Sequence, residues 1–158
     1  MPSKGTYNKK KKKYEEQFIY NRYNHKFNPI LPGTIFISTE QDFLQHKALI
    51  HQGVDKFNRE IVWDDMWNIK DGLQRIKKVN TKLCLLTIGK ETFGYVWYRD
   101  SYLFNCFISK NRPDGVSVPW LVGTFNAVHN TIIRLKVDKW NIRGQKFFEK
   151  VGFFKINS

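Results

Sequence analysis

Three features of the sequence predict a mixed α/β domain of the α+β kind, with elements in the order β-α-α-β-β-β-α-β-α-β. Runs rich in β-branched and aromatic residues alternate with stretches whose apolar residues recur every three or four positions. Three strand-like runs, 82–88, 92–99 and 102–109, follow one another across the short breaks "GKE" and "DS", the spacing of an antiparallel meander. A helix, a strand, a helix and a last short strand then follow.

Taken in order, "TIFIST" (34–39) is a β-branched strand. Ser38 or Thr39 is placed to cap a helix carrying Glu40 and Asp42 in its first turn and Phe43, Leu44, Lys47, Ala48 and Ile50 along a stripe. "GVDKFNREIVWDD" (53–65) reads as a loop. Met66, Trp67, Ile69, Leu73 and Ile76 form the apolar face of a second helix. After the meander, Val118, Leu121, Val122, Phe125 and Val128 mark a helix over 118–130, with Pro119 tolerated in its first turn. "TIIRLKV" (131–137) is a strand. Asn141 caps a helix over 142–151, Gly152 ends it, and "FFKI" is the final short strand.

The chain has 158 residues, enough for one core, and 41% of them are hydrophobic. Cys84 and Cys106 lie in strand-like runs, so free buried thiols are expected, and no Cys/His grouping has metal-ligand spacing. No apolar run reaches membrane-spanning length and no secretory leader is visible, so a cytoplasmic protein is expected, or one of the host cytoplasm or virion were it phage-encoded. The net charge is +13. Residues 1–28 hold eight Lys/Arg against two Glu, leaving +7 for 29–158. Lys9–Lys13 are consecutive, and like charges so dense repel. Residues 1–28 therefore read as a mobile basic arm suited to nucleic acid or an acidic partner, with 29–158 as the folded domain. The surplus excludes polycationic substrates such as aminoglycosides or polyamines, which it would repel.

Two stretches carry chemistry. In "SKNRPDGVSVPW" a strand gives way to a loop with one Gly and then to a helix start, whose free amides suit a phosphate. In "WNIRGQKFFEKVGFF", Gly144, Phe147, Phe148 and Val151 share a helix face, and a Gly there costs about 1 kcal/mol against Ala. Arg112-Pro-Asp-Gly115-Val-Ser117 resembles the (Gln/Arg)-x-x-Gly-x-(Gly/Ala) loop of the GNAT superfamily, the acetyl-CoA-dependent N-acyltransferases. Asn141 to Phe153 resembles that superfamily's Asn-x-x-Ala-x-x-Leu-Tyr-Glu-Lys-x-Gly-Phe segment. The pair, in this order, carries the resemblance.

The resemblance implies a mixed, splayed central sheet flanked by helices. It implies direct acyl transfer from acetyl-CoA, or another acyl-CoA, to a primary amine, expected to belong to a protein or peptide. The backbone of Phe107, Ile108 and Ser109 would pair with the pantetheine arm. The loop residues Arg112, Asp114, Gly115, Val116 and Ser117 would hold the pyrophosphate. Asn141 would reach the pantetheine or a nearby backbone group, and Gly144 would let the helix graze the cofactor. Phe148 stands where the family has a Tyr that protonates the departing thiolate, so Tyr98 and Tyr102 are the candidate replacements, and Glu60 and Asp64 the candidate bases. No metal is implied. The family's final strand is short or missing, which suggests an edge open to a dimer partner or an assembly. The alternative is a catalytically degenerate module, fastened by its basic arm to nucleic acid or to a phage or ribosomal assembly.

Overall fold

The computed structural model describes residues 15–21, 32–60, 68–128 and 132–156. The elements are β1 (Glu15–Asn21), β2 (Thr34–Ile37), α1 (Glu40–Gln45), α2 (Lys47–Glu60), α3 (Ile69–Ile76), β3 (Thr81–Ile88), β4 (Glu91–Arg99), β5 (Tyr102–Ile108), α4 (Ser117–Val128), β6 (Ile132–Asp138), α5 (Ile142–Val151) and β7 (Phe154–Ile156). The strands form one mixed sheet in the order β2-β3-β4-β5-β6-β1-β7. β3 to β5 are the antiparallel meander that the short breaks predicted, β2 pairs antiparallel with β3, and among the described strands only β5 and β6 run parallel.

The sheet separates two cores. On one face α4 and α5 cover Phe18, Tyr20, Val96, Leu103, Ile133 and Leu135, with Trp120, Leu121 and Phe125 projecting from α4. On the other, α1, α2 and α3 place Phe43, Ile50, Val54, Phe57 and Ile76 over Leu83, Leu85, Tyr95 and Trp97. β3 and β4 are buried on both faces, so they read as continuous apolar runs rather than as alternating ones. Both cysteines are free thiols, and burial pushes the pKa of Cys106 up to about 12. Among the described residues, no helix is long and apolar enough to cross a membrane and no metal-binding group of His, Cys, Asp or Glu occurs.

Helix ends follow the sequence closely. Thr39 Oγ1 accepts the Asp42 N–H at 3.0 Å, and Asp42 Oδ2 accepts the Ser38 N–H at 3.2 Å, a reciprocal cap. Asn141 caps α5, and Gly152 ends it at φ +124°, with the Phe153 N–H returning to the Phe148 carbonyl at 2.9 Å.

The structure corrects two expectations. The segment 53–60 is helix, not loop: α2 runs to Glu60 because Val54 and Phe57 bury their side chains on the sheet. Residues 15–21 are not part of a mobile arm. They are β1, paired with β6 from Glu15↔Asp138 to Asn21↔Ile132 and with β7 on its other side. Phe18 and Tyr20, two residues apart, both face the core and are 0% and 1% exposed, which is why the strand docks. Lys9–Lys13 lie outside the described residues. β1 also fills the place between β6 and β7. β7, three residues long, is the edge strand.

Candidate active site

β5 and β6 meet at a single pair, Tyr102↔Arg134, with the Arg134 N–H donating to the Ser101 carbonyl at 2.9 Å. Beyond it the strands part. The cause is local: the β4–β5 register slips between Trp97 and Tyr98, leaving Phe104 as an extra residue in β5. A bulge of this kind sharpens twist and bends its strand. Residues 104–108 line the resulting gap and are half-buried.

Backbone groups alternate sides along a strand, which decides which of them face the gap. The Ser109 N–H donates to the Phe93 carbonyl at 2.8 Å. Counting back by twos, Phe107 and Asn105 also direct their amides and carbonyls to β4, whereas Ile108 and Cys106 direct theirs to the gap. Of the three residues expected to present backbone there, Ile108 does so; Phe107 and Ser109 do not. The Phe107 ring packs instead at 5.2 Å from Phe57 and 6.2 Å from Tyr95.

The loop after β5 is held by its own side chains. Ser109 Oγ donates to Glu60 Oε1 and accepts the Asn111 N–H, both at 3.1 Å. Arg112 Nη1 donates to the Ser109 carbonyl at 3.2 Å. Gly115 sits at φ +78°, where a side chain would strain the backbone, and a Cβ added there would meet nothing within 4 Å. The space above it is open. Val116, Ser117 and Val118 follow, and the N–H groups of a first helical turn have no intrahelical acceptor. Asp114 is exposed at the rim.

On α5, Phe148 is half-buried and packs at 5.3 Å from Phe147 and 5.6 Å from Phe153. Gly144 sits against the cap of its own helix. A Cβ there would lie 2.6 Å from Asn141 Nδ2, because Asn141 folds over its own helix and accepts the Gly144 N–H at 2.9 Å. The glycine leaves room for the Asn141 side chain folded over the helix. Asn141 is likewise committed first to its helix.

The candidate acids and bases are scattered. Tyr98 is 0% exposed and its hydroxyl lies 2.7 Å from Thr124 Oγ1; burial, above all, raises its pKa well above the ordinary phenol value. It is a core strut and does not serve as an acid in an open site. Tyr102 stands where β5 and β6 part, 36% exposed, on the face of Trp97 and Arg99. Burial and then the charge of Glu15 raise its pKa. Glu60 lies at the opposite end of β5, six residues or roughly 20 Å along the strand from Tyr102. Asp64 lies outside the described residues. A cleft of about 620 Å³ runs beside α2 to this end. Its acids Asp55, Glu60 and Glu91 balance Lys56, Arg59 and Lys110, and Lys56 Nζ is closed onto Glu91 Oε1 at 2.6 Å.

Among solved structures, a GNAT-family acetyltransferase from Colwellia psychrerythraea matches with a TM-score of 0.62 at 15% identity, over 90% of this chain and 52% of that one. The chain has the GNAT fold. An aminoglycoside acetyltransferase from an uncultured soil metagenomic sample matches at 0.55 and 11% identity, over 75% of this chain and 86% of that one. A ribosomal-protein-alanine N-acetyltransferase from Brucella melitensis biovar Abortus 2308 matches at 0.53 and 8% identity, over 79% and 94%. No family model matches the sequence, and no curated protein does. Within the GNAT fold, β1 takes the place in which the resemblance calls for a strand after β7, since it lies antiparallel to β7 as a hairpin partner would. The sequence reading missed β1, the bulge at Phe104 and the bond from Glu60 to Ser109. Only the first left a signal, the period-two spacing of Phe18 and Tyr20.

Proposed function

We propose that this chain is an acetyl-CoA-dependent N-acetyltransferase, passing an acyl group to a primary amine of a protein or peptide by direct attack. The observation that carries the reading is the lone Tyr102↔Arg134 pair, which leaves the rest of β5 facing a gap. The residues around that gap fit the coenzyme. Ile108 and Cys106 turn amides and carbonyls into it, matching the amides of a pantetheine arm. Val116 to Val118 offer first-turn amides beside open space at Gly115, matching a pyrophosphate. Val116 and Phe148 offer apolar walls.

When bound, acetyl-CoA supplies the activated acyl group as a thioester. The 112–118 loop would hold the phosphates, and the backbone of β5 that faces the gap would hold the pantetheine arm. Tyr102 holds a proton at its phenol oxygen for the departing sulfur, and the proton that the amine gives up on becoming an amide restores it. Its raised pKa keeps that proton in place at neutral pH. Phe148 excludes water but gives no proton. Glu60, bonded to Ser109 at the mouth, acts as a positioning residue for the loop.

A second reading, the catalytically degenerate module, is favoured by Phe148 alone. Thiol release from acetyl-CoA over a panel of peptide amines separates the two. Release supports the enzyme. A silent panel with coenzyme still bound supports the module, and failure to bind coenzyme overturns both uses of the gap.

A further inference from the structure

The face of the sheet on which Tyr102 stands carries an unmatched group of cations. Arg99 is two residues beyond Trp97 on β4 and shares its face. On β6, Arg134 and Lys136 are exposed and alternate with Ile133, Leu135 and Val137, which face the α4–α5 core. Arg75, from α3, holds its guanidinium 5.7 Å from the Trp97 ring and 6.0 Å from Phe104, and Arg99 lies 5.2 Å from Phe104. Among the described residues, none of the four makes an ion pair. Arg75 Nη1 is buried with no hydrogen-bond partner. Among the described strand residues of this face, the acids Glu15 and Asp138 stand opposite each other two residues beyond Lys136, and the charge of Glu15 reaches Tyr102.

We propose that these four residues are the acceptor-recognition surface, and that the acceptor is an acidic peptide whose Asp or Glu side chains flank the reacting amine. The inference rests on the N-acetyltransferase reading above. Three arguments support it. A buried guanidinium donor without an acceptor is costly, and a carboxylate relieves it. The cations spread from β4 to β6, roughly 10 Å even without the splay, so one carboxylate does not span them. A peptide also supplies the aliphatic amine that the transfer needs, which nucleic acid does not.

The test is fluorescence anisotropy of the full chain with two labelled peptides of equal length, a lysine flanked by Glu or by Gln, and with a single-stranded DNA oligonucleotide. Each is measured at several salt concentrations, for the wild type and for the R134Q/K136Q double variant, whose changes are both on the surface. The Glu peptide is expected to bind about tenfold more tightly than the Gln peptide, with the advantage shrinking in salt and in the variant. Equal binding of the two peptides, or an advantage that the variant keeps, overturns the surface. Tighter binding of the DNA through the same residues overturns its assignment to a peptide. Parallel thiol-release assays separate the two levels. Selective binding without release refutes the enzyme and leaves the surface. Release with both peptides alike refutes the surface and leaves the enzyme.

Discussion

The hydroxyl of Ser109 donates to Oε1 of Glu60 at 3.1 Å, fastening the first residue beyond β5 to the last residue of α2. The bond closes the mouth of the gap on the side of α1 to α3. It gives the Glu60 carboxylate a structural task through Oε1.

Glu60→Ala should therefore loosen the loop and raise the KM for the acyl donor about fivefold, with kcat changed less than about twofold. A catalytic base would show the reverse, a loss of ~10²–10⁴ in kcat. Steady-state kinetics with varied acetyl-CoA distinguishes them.

The two tyrosines should separate cleanly. Tyr102→Phe is expected to lower kcat by about 10² with no change in melting temperature. Tyr98→Phe is expected to lower stability by about 1 kcal/mol, through the lost bond to Thr124, with kcat unchanged. The pH dependence follows from the raised pKa values. Burial raises the Tyr102 pKa above the ordinary 10.0, so the midpoint of its alkaline loss of kcat should lie above that value. Tyr98 binds its proton more tightly folded than unfolded. Its contribution to stability is thus complete below pH 10.0 and is lost as pH rises towards the folded value. Denaturant titrations from neutral to alkaline pH would read this.

Gly144 and Asn141 should be coupled. Gly144→Ala gains up to about 1 kcal/mol of helix propensity but displaces the cap, worth about 0.5–2 kcal/mol. The single variant should be destabilised or neutral. With Asn141→Ala already in place, the same change should stabilise by about 1 kcal/mol, because the atoms it would strike are gone. Equal effects in both backgrounds would mean that something other than Asn141 requires the glycine.

β1 should be indispensable. Tyr20→Ala removes a ring that packs at 5.0 Å from Phe125 and 5.3 Å from Phe153, and should cost about 3–5 kcal/mol. A chain begun at residue 29, where the sequence places the start of the folded domain, should fail to melt cooperatively, because it leaves β6 and β7 without the strand between them.

That boundary shows where sequence reading reaches its limit. The meander, the caps at Thr39 and Asn141 and the glycine-bearing loop at 115 were legible, since each depends on residues near one another in the chain. β1 was not, because its partners lie more than a hundred residues away and its neighbours are lysines, whose repulsion suggested a free tail. The end of α2 was misread because Gly53 and Asn58 look like helix breakers. Gly53 is there for packing: a Cβ would come within 3.0 Å of Thr92 Cγ2. The candidate site was legible as a loop and a helix start. The bulge at Phe104 that opens the gap is a matter of strand register, which no local pattern records.

The central claim is that the backbone of β5 facing away from β4 receives the coenzyme, and hydrogen exchange of individual amides with and without CoA tests it most directly. The account predicts that CoA slows exchange at Cys106 and Ile108, while Ser109, already bonded to Phe93, is unchanged. If CoA leaves Cys106 and Ile108 as they were, or protects Phe107 and Ser109 instead, the gap is not where the coenzyme lies.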